Sequence, residues 1–450
     1  MTAQTEITHK KTTRRTFTLT SLGCPKNRVD SENILHHMTQ GGFTFTDDTS
    51  VAEIIIVNTC AFIRPAVEEA IAVILELRQT SPSALIVAAG CLPLRYKEEL
   101  AVSLTEVDLF VTPSQIQILP ALLNQHLSKK GFADDRMNFS TVKSGRVITT
   151  PGYAYLKIAD GCARSCRYCT IPQIRGPLRS TAIQDLVHEA SFLADRGVKE
   201  LILVAQDTTS YGRDLGTKNA LVKLLSALEN ISGIEWIRLM YLHPAGIPKG
   251  LRKLINESRK ILPYLDIPFQ HISEKVLRAM GRPWKGDYIR KLVKSLRDEI
   301  PGLVLRTSVM VGFPQETDQD FNELLDFLRE YQIERVGVFQ YCPEDGTPAF
   351  VLGDPIPARI KKQRANEIKK LNTKLTAKRN RSRIGAIEKA FIEGISEESE
   401  LLLQGRTWDQ APEVDGVLYV TEGTLETGRI QPVRITYAHG QDLFGTLEIA

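Results

Sequence analysis

Between residues 148 and 380 the chain repeats one beat six times: a short apolar run, a turn, then an amphipathic stretch. The runs are YAYLKIA, ELILVAQ, WIRLMYL, YLDIPFQ, LVLRTSVMVGF and RVGVFQY, with helical periodicity over 183–196, 221–229, 288–299 and 318–331. Strand-length apolar runs alternating with helices predict a parallel sheet. Six βα units predict an incomplete relative of the (βα)8 barrel, a partial (βα)6 barrel whose working face lies at the strand C-termini. An open doubly wound sheet is the alternative.

The flanking segments differ from it and from each other. Residues 14–125 carry TFTLTSLG, EIIIVN, ALIVAAG and a short LFVTP, with helical stretches at 30–38 and 65–78, which predicts a second, smaller parallel α/β sheet. Residues 381–450 carry KAFIEGI, LLLQGRT, GVLYVTE, PVRITYA and GTLEIA between Gly, Pro and Asp turns, the pattern of a small five-stranded, OB-like β-barrel. The expected organisation is thus an α/β chain of three domains, 14–125, 148–380 and 381–450, in line with a length of 450 residues. A composition of 42% hydrophobic and 24% charged residues is that of a globular protein. No apolar run approaches the roughly 20 residues of a membrane span. The polar, basic first fifteen residues lack the apolar core of a signal peptide, so a cytoplasmic protein is expected.

Seven cysteines make an odd count, and in a reducing compartment disulfides are not expected. Cys162, Cys166 and Cys169 lie in ADGCARSCRYCTIP, directly after the first run of the central segment. Thiolates spaced C-x-x-x-C-x-x-C on a tight loop can each reach one iron of a cubane cluster and leave its fourth iron open. The alternative is a zinc knuckle or a redox pair, but structural zinc takes four ligands and the next His or Cys is His188.

Cys24, Cys60 and Cys91 are far apart in sequence, yet each directly follows a predicted strand. In a parallel sheet the strand C-termini share one edge, where ligands bind, so these three thiols are expected to converge. Small neighbours (Gly23, Thr59, Gly90) would leave room for a bulky group. Three ordinary core cysteines are the alternative. Cys342 stands alone after the last central strand and is expected to be a core residue.

The cysteine loop is the signature of radical S-adenosylmethionine enzymes. Together with the N-terminal cysteines and the terminal barrel it resembles the methylthiotransferase family, in which that barrel is called a TRAM domain. The resemblance runs from SLGCPKNRVDSE to APEVDG. Within the family, SLGCPKN, LVAQDTTSYG, RLMYLHP, YLDIPFQH and DQAPEVDG resemble the branch that modifies a ribosomal protein rather than tRNA. The resemblance implies two 4Fe–4S clusters, an auxiliary one on Cys24, Cys60 and Cys91 and a radical one on Cys162, Cys166 and Cys169 that binds S-adenosylmethionine. Tyr168 would pack near the adenine. The implied reaction adds a methylthio group to an aspartate β-carbon of small-subunit ribosomal protein S-twelve, with a flavodoxin or ferredoxin as electron donor. Separately, a monomer is expected because no extra interaction segment appears in the sequence. That β-hydrogen is barely acidic, so a side-chain base is mismatched to it and a cofactor-derived radical is required.

Departures from the family pattern are Gln315 in GFPQET, Leu94 in GCLPLRY, and Cys342 where relatives commonly have Ser. None removes a ligand. Gln206, Asp207, His243, Gln270, His271 and Gly312 fall at strand ends and would face the site in a barrel, although His271 could simply cap a helix and Asp207 a turn.

The net charge of +4 hides an asymmetry. Residues 359–383 hold eleven Lys or Arg and one acid, Glu367, whereas residues 384–450 hold twelve acids against four basic residues. Nucleic-acid binding rests mainly on Lys and Arg. The acidic terminal segment therefore suits a basic ribosomal protein better than tRNA, while the basic linker is a possible RNA contact. A tRNA adenosine methylthiotransferase, a non-catalytic cluster carrier and a zinc-bearing RNA-binding protein are the competing functions.

Overall fold

The structure, a computed structural model, describes residues 15–129, 145–282, 285–422 and 426–448. The chain forms two compact units, residues 1–147 and 148–450. Among the described residues no helix is long and apolar enough to cross a membrane.

The first unit is a five-stranded parallel sheet of β1 (Thr16–Ser21), β2 (Thr44–Phe45), β3 (Ile54–Thr59), β4 (Leu85–Gly90) and β5 (Leu109–Val111), in the order β2-β1-β3-β4-β5. β3 and β4 are buried throughout, which is why they read as unbroken apolar runs. The helix after β1 spans Pro25–Gln40 and starts before the predicted residue 30. Pro25 supplies a favourable first helical position. The first turns then bury polar residues (Asn27, Asp30, Ser31, Glu32), so apolar periodicity does not reveal them. β2 and the helices Cys91–Ser103 and Leu119–Lys129 were not anticipated.

The second unit contains β6 (Tyr153–Lys157), β7 (Ala159–Asp160), β8 (Arg179–Ser180), β9 (Glu200–Val204), β10 (Trp236–Leu239), β11 (Ile261–Asp266), β12 (Val304–Val311) and β13 (Arg335–Gln340). β6 and β9 to β13 form one parallel sheet in sequential order. A doubly wound sheet reverses its strand order part-way, so the incomplete barrel is the arrangement found. Right-handed crossovers then put the helices on one face. Ala154, Leu156, Leu201, Leu203, Ile237 and Leu239 pack into that apolar layer. The alternate residues Tyr153, Glu200, Arg238, Tyr264 and Arg306 turn to the opposite face.

The terminal segment closes into the expected five-stranded barrel, in the order β14-β15-β16-β18-β17. Its strands are β14 (Ile387–Ser396), β15 (Ser399–Thr407), β16 (Leu418–Val420), β17 (Arg429–His439) and β18 (Asp442–Leu447). It packs on the polar face of the central sheet. Arg238 donates to Glu200 at 2.7 Å, and Arg406 from β15 completes that buried pair. Tyr264 donates to Asp415 at 2.7 Å and Tyr153 to Glu413 at 3.3 Å. The linker is one helix, Ala358–Arg381.

Candidate functional site

In the first unit β1, β3 and β4 are direct neighbours, and Cys24, Cys60 and Cys91 follow their C-terminal ends. The three cysteines thus follow neighbouring strand ends on one edge of the sheet. Gly23 has φ +94°, and a Cβ there would lie 2.6 Å from the Cβ and 3.1 Å from the Sγ of Cys60. The residue before Cys24 therefore lies against Cys60, and only glycine permits it. Asn27 ties the three strand ends together. Its Nδ2 donates to the carbonyls of Leu22 (3.0 Å) and Thr59 (2.9 Å), and its Oδ1 accepts from the Cys91 thiol at 3.8 Å. Asn58, fully buried, supports it by donating to the Asn27 carbonyl and the Ser31 hydroxyl, both at 2.8 Å. This polar layer under the cysteines was absent from the sequence expectations, although NRVDSE and VNTC carry it.

In the second unit the loop bearing Cys162, Cys166 and Cys169 leaves from β7 and returns at β8, so an antiparallel pair clamps its base. Asp160 accepts from the Gly161 N–H (2.9 Å), Gln206 (2.8 Å) and Arg175 (3.1 Å). Arg164, between the first two cysteines, donates to Asp207 at 2.7 Å, and Asp207 also accepts from Ser210 at 2.6 Å. Asp207 is thus both a turn residue and the anchor of the cysteine loop. Buried Arg282 donates to the Pro268 carbonyl at 2.7 Å and contacts the Cys166 thiol and the Tyr168 hydroxyl. Arg164 and Arg282 are positioning residues that motif reasoning missed. Tyr168 packs edge-on to Phe313 with ring centroids 6.4 Å apart. His243 is held neutral, its pKa pushed down to about 3 by burial and then by Arg282 and Arg164.

Burial pushes the Cys169 thiol up to about 12 and raises Cys162 as well. Such thiols lose their protons when a metal's positive charge arrives. Among the described residues no three His, Cys, Asp or Glu side chains converge on one point as ligands of a single ion would. A cluster of several irons asks less, since each thiolate takes its own iron. Three soft donors per site and glycine beside Cys60 fit such a group. Cys342, expected in the core, is half-buried at the end of β13.

Strained backbone collects at the strand C-termini of the central sheet. Tyr241 (φ 59°), Gln270 (φ 71°) and Gln315 (φ 78°) are non-glycine residues in the left-handed region after β10, β11 and β12. Such strain concentrates at functional sites. The Gln270 backbone bridges Ser308 and Met310. His271 is structural: its Nδ1 accepts from the Ser273 N–H at 3.0 Å, ahead of the helix Glu274–Ala279. Gly312 lies against the Lys361 stem and donates its N–H to Glu316 at 2.5 Å, and Arg364 pairs with Glu316 at 2.9 Å. Gln315 stands where the family pattern has glycine, at a conformation glycine adopts freely. Gln315→Gly should therefore raise stability by about 0.5–1 kcal/mol. Chemical denaturation measures it, and a loss of stability would mean that the glutamine side chain holds the turn.

Three family models match the chain in series: Uncharacterized protein family UPF0004 over residues 16–112, the Radical SAM superfamily over 156–328 and the TRAM domain over 384–447. The chain is 42% identical over 438 residues to "Ribosomal protein uS12 methylthiotransferase RimO" of Acetivibrio thermocellus, covering 94% of this chain and 96% of the relative. The protein of the same name from Aquifex aeolicus is 43% identical over 428 residues, 94% of this chain and 95% of the relative. A solved structure of the radical S-adenosylmethionine methyltransferase TsrM from Kitasatospora setae superposes with a TM-score of 0.55 at 14% identity, over 75% of this chain and 77% of that one. At that identity the likeness is one of fold alone. Identity above 40% to proteins of one name, over 94% of this chain, decides the family. The chain belongs to the ribosomal protein uS12 methylthiotransferases, radical S-adenosylmethionine enzymes with a TRAM domain.

Proposed function

We propose that the chain transfers a methylthio group to an aspartate β-carbon of ribosomal protein uS12, with S-adenosylmethionine as co-substrate and two 4Fe–4S clusters. Cys162, Cys166 and Cys169 would hold one cluster, and Cys24, Cys60 and Cys91 the other. The observation that carries this reading is the placement of six of the seven cysteines in two sets of three, each at the C-terminal edge of a parallel sheet. When bound, these groups supply the radical that removes an unactivated hydrogen and the sulfur that replaces it.

The chain's own residues provide position. Arg164 on Asp207, and Asp160 on Gly161 and Arg175, fix the cysteine loop to the sheet. Arg282 orients Cys166 and Tyr168. Asn27 and Asn58 fix the strand ends that bear the other triad. In the same reading the modules are 14–125, 148–380 and 381–450, electrons come from a flavodoxin or ferredoxin, and the monomeric chain works in the cytoplasm.

Mass spectrometry of uS12 from a strain lacking this gene tests the reading. The expected result is loss of the methylthio group from one aspartate and its return on complementation. Unchanged uS12, with methylthio-adenosine lost from digested tRNA instead, would overturn it.

A further inference from the structure

The linker helix Ala358–Arg381 sorts its cations into two sets. Lys361, Arg364, Arg379 and Arg383 of the linker region pair with Asp354, Glu316 and Asp318, Asp409, and Glu388. They belong to the fold. The other set, including Lys362, Lys369, Lys370, Lys374, Lys378 and Arg381, is exposed. At 3.6 residues per turn these six fall on one half of the helix, a stripe along a rod about 36 Å long.

None of the six has an ion-pair partner among the described residues. Elsewhere several exposed cations pair locally, Arg278 with Glu274, Arg329 with Asp326 and Lys275 with Asp320. The helix Gly286–Glu299 carries two that do not, Lys291 and Lys294; what sets the linker apart is six of them on one face. The helix's one acid, Glu367, accepts from Gln363 instead. Lys370, Lys374 and Lys378 repeat at i, i+4, a spacing at which like charges destabilise a helix. A solvated face needs no such concentration of one sign.

The stripe's chemistry selects its partner. Residues interleaved with the cations, such as Asn366 and Thr373, are polar, and the helix turns Ile368 and Ala365 inward. The fully exposed positions of this face carry no large apolar side chain, so it does not insert into a lipid surface, and it lacks the aromatic anchors on which protein interfaces depend. Solvated cations repeated along one side of a rod do match a phosphate backbone.

We propose that this stripe lies on RNA phosphates that flank the substrate, so that the enzyme takes uS12 within a ribonucleoprotein rather than as a free chain. The inference rests on the proposed function for the identity of the substrate and on the helix alone for the RNA.

The test is binding of the cluster-loaded enzyme to purified small ribosomal subunits across a salt series, alongside methylthio transfer to free uS12 and to uS12 in subunits. The variant carries Lys369→Ala, Lys370→Ala and Lys374→Ala, solvated positions outside both cysteine sites. The variant should bind subunits at least about tenfold more weakly, and its slope of log affinity on log salt should be shallower by about two to three. Transfer to subunits should fall with it, and transfer to free uS12 should not. Unchanged affinity and slope would overturn the inference. Normal salt-dependent RNA binding with transfer to neither form of uS12 would uphold the stripe and sink the proposed substrate.

Discussion

Cys166→Ala should abolish formation of 5′-deoxyadenosine from S-adenosylmethionine, whereas Cys60→Ala should leave that reaction running and abolish methylthio transfer. The contrast arises because the two triads sit in different sheets with separate supports. Cys166 belongs to a loop clamped by β7 and β8 and contacted by Arg282, and removing one of three thiols leaves an iron without its ligand. Cys60 belongs to the edge built by β1, β3 and β4 and levelled by Asn27 and Asn58. Each variant should carry about four irons in place of about eight. Cys342→Ala is the control, since Cys342 belongs to neither triad, and it should change neither iron content nor product. Anaerobic iron and sulfide analysis with chromatography of the nucleoside product reads all three. Deoxyadenosine lost in Cys60→Ala as well would mean that the triads are not independent. Iron unchanged in Cys166→Ala would remove that residue from the ligand set.

Much of this was legible because parallel βα architecture writes strands as apolar runs and gathers the residues just past their C-termini on one edge. That rule alone assigns Cys24, Cys60 and Cys91 to one sheet edge across long separations. The features hidden from the sequence were polar. Asn27, Asn58 and Glu200 are fully buried, and no periodicity marks a buried amide or carboxylate. Arg164, a variable position inside the cysteine loop, and Arg282, outside the quoted motifs, matter through contacts that only the fold creates. The charge count also needed the structure. The acidic terminal segment does not present all of its charge to a partner: Asp409, Glu388 and Glu393 meet arginines inside the protein. Its exposed acids include Glu397, Glu398, Glu400 and Glu422. Likewise four cations of the basic run are held in ion pairs within the fold, so it is a stripe rather than a cloud.

Asp409→Asn should be among the most destabilising single changes in the second unit, at about 3–5 kcal/mol. The Asp409 carboxylate is fully buried and meets Arg335 at 3.3 Å, Arg383 at 3.1 Å, and Arg379. Thr407 donates to it at 2.5 Å. The three arginines come from the last central strand and from the C-terminal end of the linker region, so one carboxylate joins sheet, linker and barrel. Burial by itself would raise its pKa; Arg383, Arg379 and Arg335 outweigh that and hold it well below the usual carboxylate range. A depressed folded pKa contributes stability that is fully present above the unfolded value, about 3.9, and is lost as pH falls through the folded one. The wild-type protein should therefore keep this contribution at neutral pH and lose it in acid. Asparagine matches the shape but not the charge, and it leaves three guanidinium groups facing one another around a buried neutral amide. Denaturant titrations at neutral and acidic pH decide the matter: the gap between wild type and Asp409→Asn should be large at pH 7 and narrow as the pH drops below 4. A gap that stays constant with pH would mean that shape and hydrogen bonding, not the charge on Asp409, hold the barrel to the sheet.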